Sequence, residues 1–118
     1  MQYMILIQSD EQARGEASAE EGNAIMGEYF AFSDSIRDVT LSSAPLEPST
    51  ATTTVRVRDG ETLVTDGPFV ETKEQLGGYY LIEVDTLDEA LEIAARCPGA
   101  KYGAVEVRPL MPIPARQP

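Results

Sequence analysis

The chain opens on a continuous apolar run, Tyr3-Met4-Ile5-Leu6-Ile7, the mark of a strand covered on both faces. Ser9 to Gly15 is polar and reads as a loop. Ser18-Ala19-Glu20-Glu21 matches a capping box, in which the hydroxyl and Glu21 each satisfy a free amide at a helix start. Ile25, Met26, Tyr29, Phe32, Ser33 and Ile36 then recur at helical spacing, predicting a helix from about 19 to 38 with one buried face. Gly22 and Gly27 weaken it by roughly 1 kcal/mol each relative to alanine, and Gly27 is a candidate for a close backbone contact. Ser42 to Thr50, with Pro45 and Pro48, reads as a linker.

Beyond it the period changes from helical to two. Thr53, Val55 and Val57 alternate with Thr54, Arg56 and Arg58, and Asp59-Gly60 supplies the positive-φ pair of a tight hairpin. Glu61 to Thr65 is the return strand. Gly78 to Val84 is a second apolar run and reads as a central strand. Thr86-Leu87-Asp88-Glu89 is another capping box. Leu87, Ala90, Leu91 and Ala94 make the expected buried stripe of a helix that stops before Pro98-Gly99. Gly103 to Leu110 is the last strand, with Ala104, Glu106 and Arg108 on one face and Val105 and Val107 on the other. Met111 to Pro118 reads as an extended, proline-rich tail after a single domain over residues 1–110.

The order β-α-β-β-β-α-β with right-handed crossovers puts both helices on one face of a mainly antiparallel sheet. This is an α+β, ferredoxin-like βαββαβ layer with an added hairpin strand. Its other face has no cover of its own, and Tyr79 to Val84 is too apolar to leave that face wet. A homodimer packed sheet against sheet is therefore expected.

Composition narrows the partners. Twenty acidic and nine basic residues give a formal charge of −11, a field that repels DNA, RNA and anionic lipid. One cysteine, Cys97, permits no internal disulfide, which suits a reducing cytoplasm. No run approaches the ~18 apolar residues of a membrane span. The chain has no histidine, which removes serine–histidine and cysteine–histidine catalysis and histidine metal ligation. No spaced ligand motif supports a metal, and no cofactor is expected.

The densest chemistry lies between Thr65 and Tyr80, where sixteen residues carry three carboxylates, a lysine and three aromatics. Asp66-Gly67-Pro68-Phe69 and Glu71-Thr72-Lys73-Glu74-Gln75-Leu76-Gly77-Gly78-Tyr79-Tyr80-Leu81-Ile82-Glu83-Val84 resemble the signature of the DGPF branch of the YCII-related proteins. Leu87-Asp88-Glu89-Ala90-Leu91, Ala95-Arg96-Cys97-Pro98 and Val105-Glu106-Val107-Arg108-Pro109 resemble its later blocks, and Tyr3-Met4-Ile5-Leu6-Ile7 its opening strand. The resemblance covers about residues 1–110 and implies a dimeric α/β-barrel of two ferredoxin-like units. It implies no particular activity. A His-Asp acid–base pair proposed for other YCII-related branches cannot transfer to a chain without histidine; counting back without gaps from Ala44-Pro45 puts that slot near Gly27. The resemblance also implies an association with extracytoplasmic-function sigma factors.

Read residue by residue, Asp66 is the leading candidate. A turn aspartate usually accepts a hydrogen bond from the amide two residues on, and here that residue is Pro68, which has none. Its carboxylate must seek Phe69 N–H, a cation or a ligand. Glu71 and Lys73 share a face if their segment is extended. They diverge if Thr72-Lys73-Glu74-Gln75 caps a short helical turn. Phe69 is a core plug or a ligand stacker. Tyr79 and Tyr80 point to opposite sheet faces, one into the core and one into the dimer cavity. Tyr29 is a core residue. Arg56, Arg58 and Arg108 form surface salt bridges, or one of them clamps a carboxylate. Cys97, at a helix end, is expected to be buried and inert.

The expected function is small-molecule binding in the dimer cavity. Asp66 and Glu71 are candidate acid–base groups, and Phe69, Lys73, Tyr79 and Arg56 would hold a small anionic ligand. The alternative is a non-catalytic accessory protein in a sigma-factor pathway.

Overall fold

The computed structural model describes residues 1–114. The elements run β1 (Gln2–Asp10), α1 (Glu11–Glu16), α2 (Ala19–Ser35), β2 (Thr40–Pro45), a 3-10 turn (Ser49–Ala51), β3 (Thr53–Arg58), β4 (Glu61–Asp66), β5 (Glu74–Glu83), α3 (Leu87–Arg96), α4 (Pro98–Tyr102) and β6 (Ala104–Pro109). An antiparallel four-stranded sheet has the order β2-β5-β1-β6. The two longest apolar strands thus take the centre. Pro45 and Pro109 fall on the edge strands, where a missing N–H leaves no gap in the ladder.

The core lies on one face of this sheet. Tyr3, Ile5 and Ile7 of β1 and Tyr80 and Ile82 of β5 meet Phe32 of α2 and Ile36 just past its end, and Ala90, Ile93 and Ala94 of α3 and Cys97 just past its end. Ile5 and Ile82 are fully enclosed. Tyr80 stacks edge-on against Phe32 at 5.2 Å, and its hydroxyl shares a 2.7 Å hydrogen bond with Ser33. Burial drives the Tyr80 pKa up; the Ser33 bond opposes it. The hydroxyl half of each capping box forms: Ser18 accepts from Glu21 N–H and Thr86 from Glu89 N–H.

Several expectations need correction. Ser9 to Gly15 is not a loop: β1 continues to Asp10, whose carboxylate caps α1 by accepting from Gln12 and Ala13 N–H. The first long helix ends at Ser35 rather than near 38. The first part of the supposed linker, Ser42 to Pro45, belongs to the edge strand β2, which pairs with β5 from Thr40 to Pro45. Of the face expected on the first long helix, Phe32 and Ile36 are buried and Met26 alone is exposed; on α3 Ala90 and Ala94 are buried as expected, but Leu87 and Leu91 are exposed and Ile93 is buried instead. A Cβ at Gly27 would meet nothing within 4 Å, so no close contact requires that glycine. The tail from Met111 to Pro114 has no regular structure, and its last four positions lie outside the described residues.

The hairpin formed as read, with Asp59 and Gly60 both at positive φ. It does not add a strand to the main sheet, however. β3 and β4 form a separate two-stranded arm, paired from Thr53–Asp66 to Arg58–Glu61.

Candidate functional site

The loop that leaves the arm begins at Gly67, whose φ of +103° is open to glycine and strained for any residue with a Cβ. Its N–H donates to Thr52 O at 2.7 Å, and its carbonyl accepts from the Thr54 hydroxyl at 2.8 Å. These two bonds tie the base of the arm to itself and fix where Asp66 and Phe69 emerge.

Past Pro68 the chain forms one wall of a cleft of about 310 Å³. Glu71 and Lys73 line it, facing the first turn of α1 and the Ser49-Thr50 turn. The opposite wall is locked by Glu11, whose carboxylate accepts from both Ser49 N–H and Ser49 Oγ at 2.6 Å. Gln75 stiffens the near wall by donating to Val70 O and Thr72 O, and the Thr72 hydroxyl bonds Glu74 O. Residues 71–73 are not helical, so the short capped turn does not form. Both side chains are exposed, and they make no ion pair with one another. A carboxylate and an ammonium thus stand available on a braced loop beside a cleft of ligand size.

The other candidates lie elsewhere. Asp66 is exposed on the arm, and among the described residues nothing donates a hydrogen bond to its carboxylate, Phe69 N–H included. Phe69 is no core plug: it is 75% exposed, with the Arg56 guanidinium 5.1 Å from its ring centroid. Arg58 donates to the carbonyl of Val57. The two tyrosines point to opposite faces of the sheet, as expected. Tyr80 enters the core, while Tyr79 lies on the uncovered sheet face with its hydroxyl 3.2 Å from Ser42 Oγ. That face carries Met4 and Leu6 of β1 opposite Leu81 and Tyr79 of β5, with Arg108 and Glu106 across from them on β6. Gln8 donates to Glu106 at 3.0 Å. The result is an apolar floor with a few polar groups at its margin.

Cys97 is buried, and burial pushes its thiol pKa up, as expected of an inert cysteine. Tyr29 packs half-buried against the core, and burial raises its pKa strongly. Among the described residues no group of acidic or sulfur side chains is arranged to hold a metal, and no helix is long and apolar enough to cross a membrane. The α1 wall of the cleft escaped sequence reading. It depends on Glu11 meeting Ser49, a contact between distant positions that no local pattern announces.

The comparisons agree with this architecture. The model of the YCII-related domain matches residues 1–114, so the chain belongs to the YCII-related family. An uncharacterised protein of Rhizobium meliloti (strain 1021) is 42% identical over 114 residues, covering 93% of this chain and 92% of its own. Among solved structures, the fold is similar to 5-chloro-2-hydroxyhydroquinone dehydrochlorinase (TftG) from Burkholderia phenoliruptrix AC1100, in complex with 2,5-dihydroxybenzoquinone. That likeness has a TM-score of 0.53 at 14% identity, covers 94% of both chains, and is one of fold alone.

Proposed function

We propose that this chain is a cytoplasmic member of the DGPF branch, with a single ferredoxin-like domain to about residue 110, that binds a small molecule as a homodimer. Two copies join through their uncovered sheet faces into a dimeric α/β-barrel, and the ligand lies in the chamber between them. The observation that carries this reading is the uncovered face itself: Met4, Leu6, Leu81 and Tyr79 form an apolar floor edged by Ser42, Glu106 and Arg108. An apolar floor with few polar groups suits a small ring-bearing acid. The cleft holding Glu71 and Lys73 opens at the start of β5, about 17 Å of strand before Tyr79. The solved neighbour holds a small hydroxyquinone, which is compatible with a ring compound here.

Asp66 and Glu71 are the proposed acid–base groups, since histidine is absent and neither carboxylate is engaged by a described donor. Lys73 and Arg56 supply positive charge for an anionic ligand, with Phe69 and Tyr79 for stacking. A sigma-factor role draws no support from the family match, the relative or the structural neighbour, and it is not carried further.

The test is a thermal-shift screen of small aromatic acids against the wild-type protein. Asp66→Asn and Glu71→Gln should each abolish a ligand-induced shift while leaving the unliganded melting temperature within about 1 °C, as exposed substitutions do. Retention of the full shift by both variants would remove the carboxylates from the site. Loss of folding in Asp66→Asn would make that residue structural.

A further inference from the structure

The β3–β4 arm has two unlike faces. Thr54, Arg56 and Arg58 lie on one, with Leu63 and Thr65, where Phe69 covers Arg56. Val55, Val57 and Val64 lie on the other, and they are 60%, 60% and 65% exposed. Alternation puts Asp66 on this valine face too, two residues beyond Val64 and opposite Thr53. A lone two-stranded ribbon is marginal in water, and a cross-strand valine pair on its bare face makes it more so. Among the described residues nothing covers that face.

The surface area indicates what does. The chain exposes 8676 Å², whereas a compact monomer of this mass exposes about 6,300 Å². Its radius of gyration is 16.8 Å, against about 13.5 Å for a compact domain of this length. Part of the surplus belongs to Met111 and Ile113 beyond β6. The whole surplus is about 2,400 Å², so what remains is well above the roughly 800 Å² that a stable dimer removes from each partner, and it includes the two faces of the projecting arm. The same chain also has a second uncovered apolar surface, the open sheet face. Two such surfaces on one chain can satisfy each other twice across a two-fold axis, which closes the assembly.

We propose that the arm crosses to a second copy and lays its valine face against the rim of the partner's open sheet face, beside the contact between the two sheets, so that the chamber between them is bordered by one chain's sheet and reached by the other chain's Asp66. This rests on the dimeric chamber proposed above and adds that the leading acidic residue acts in trans. It also accounts for a carboxylate with no donor among the described residues.

The experiment replaces Val64 with photoreactive benzoylphenylalanine in the purified full-length protein, irradiates it, and maps the attachment by peptide mass spectrometry. The expected product is a covalent dimer with the attachment on the partner's four-stranded sheet. A Val55→Asp, Val64→Asp double variant should raise the dimer dissociation constant at least 100-fold in sedimentation velocity, with its circular dichroism unchanged. Wild-type protein that stays dimeric while the photoproduct is confined to single chains overturns the crossing arm and leaves the chamber standing. So does a double variant with wild-type dimer affinity. Wild-type protein that sediments as a single chain at all concentrations overturns both.

Discussion

Replacing Gly67 with alanine separates the conformation of the arm's base from every packing effect. A Cβ at this position would meet nothing within 4 Å, so no steric contact is added. What changes is the backbone: φ is +103°, where a residue with a Cβ is strained by about 1–3 kcal/mol. A central value of about 2 kcal/mol multiplies the open population of the arm roughly 30-fold. The bonds at risk are Gly67 N–H to Thr52 O and Thr54 Oγ1 to Gly67 O, which close the arm where Asp66 emerges. Amide hydrogen exchange is the assay. Protection in β3 and β4 should fall by roughly that factor, while β1 and β5, which hold the core, keep theirs. An equal loss in all strands would mean that the arm and the main sheet unfold as one unit. No loss anywhere would mean that the positive φ is not needed. Either result refutes the picture of a separate arm fixed by this glycine.

Two further outcomes follow from the core. Ile82→Ala, at a position with no solvent exposure, should cost about 2–5 kcal/mol in chemical denaturation; a cost under about 1 kcal/mol would mean that the site collapses around the gap. Burial raises the folded pKa of Cys97 above its ordinary value of 9.0, so its contribution to stability is complete below that pH and is lost as pH rises above it. The melting temperature should therefore decline above about pH 9, and Cys97→Ala should make that decline shallower. An identical slope in the variant would show that the thiol does not titrate differently on unfolding.

Local signals made much of the fold legible. Asp59-Gly60 fixed the hairpin because only a few residues accept two positive φ values in succession. The capping hydroxyls of Ser18 and Thr86 marked two helix starts. β2 was missed because Ser42, Ser43 and Pro45 carry no strand pattern; its identity comes from pairing with β5, far along the chain. α1 had a readable signal in Asp10, whose carboxylate caps it, but with Ala13 as its one apolar side chain it offers no apolar stripe to confirm a helix. Helical spacing placed Met26, Leu87 and Leu91 inward because periodicity gives a face but not its rotation against a sheet not yet known. At the site, Glu71 and Lys73 could be singled out by residue type, whereas the Glu11–Ser49 wall opposite them is purely tertiary. Phe69 was read as plug or stacker, and its exposure excludes the plug.

The central claim is that two uncovered sheet faces meet to form one chamber. It is tested most directly by isotope-filtered nuclear Overhauser spectroscopy on a mixture of labelled and unlabelled protein, reporting only contacts between different chains. The account expects cross-peaks from the methyl groups of Met4, Leu6 and Leu81 to protons of the other chain. A spectrum with no such peaks, from a particle tumbling as a single 12.8 kDa chain, would contradict it.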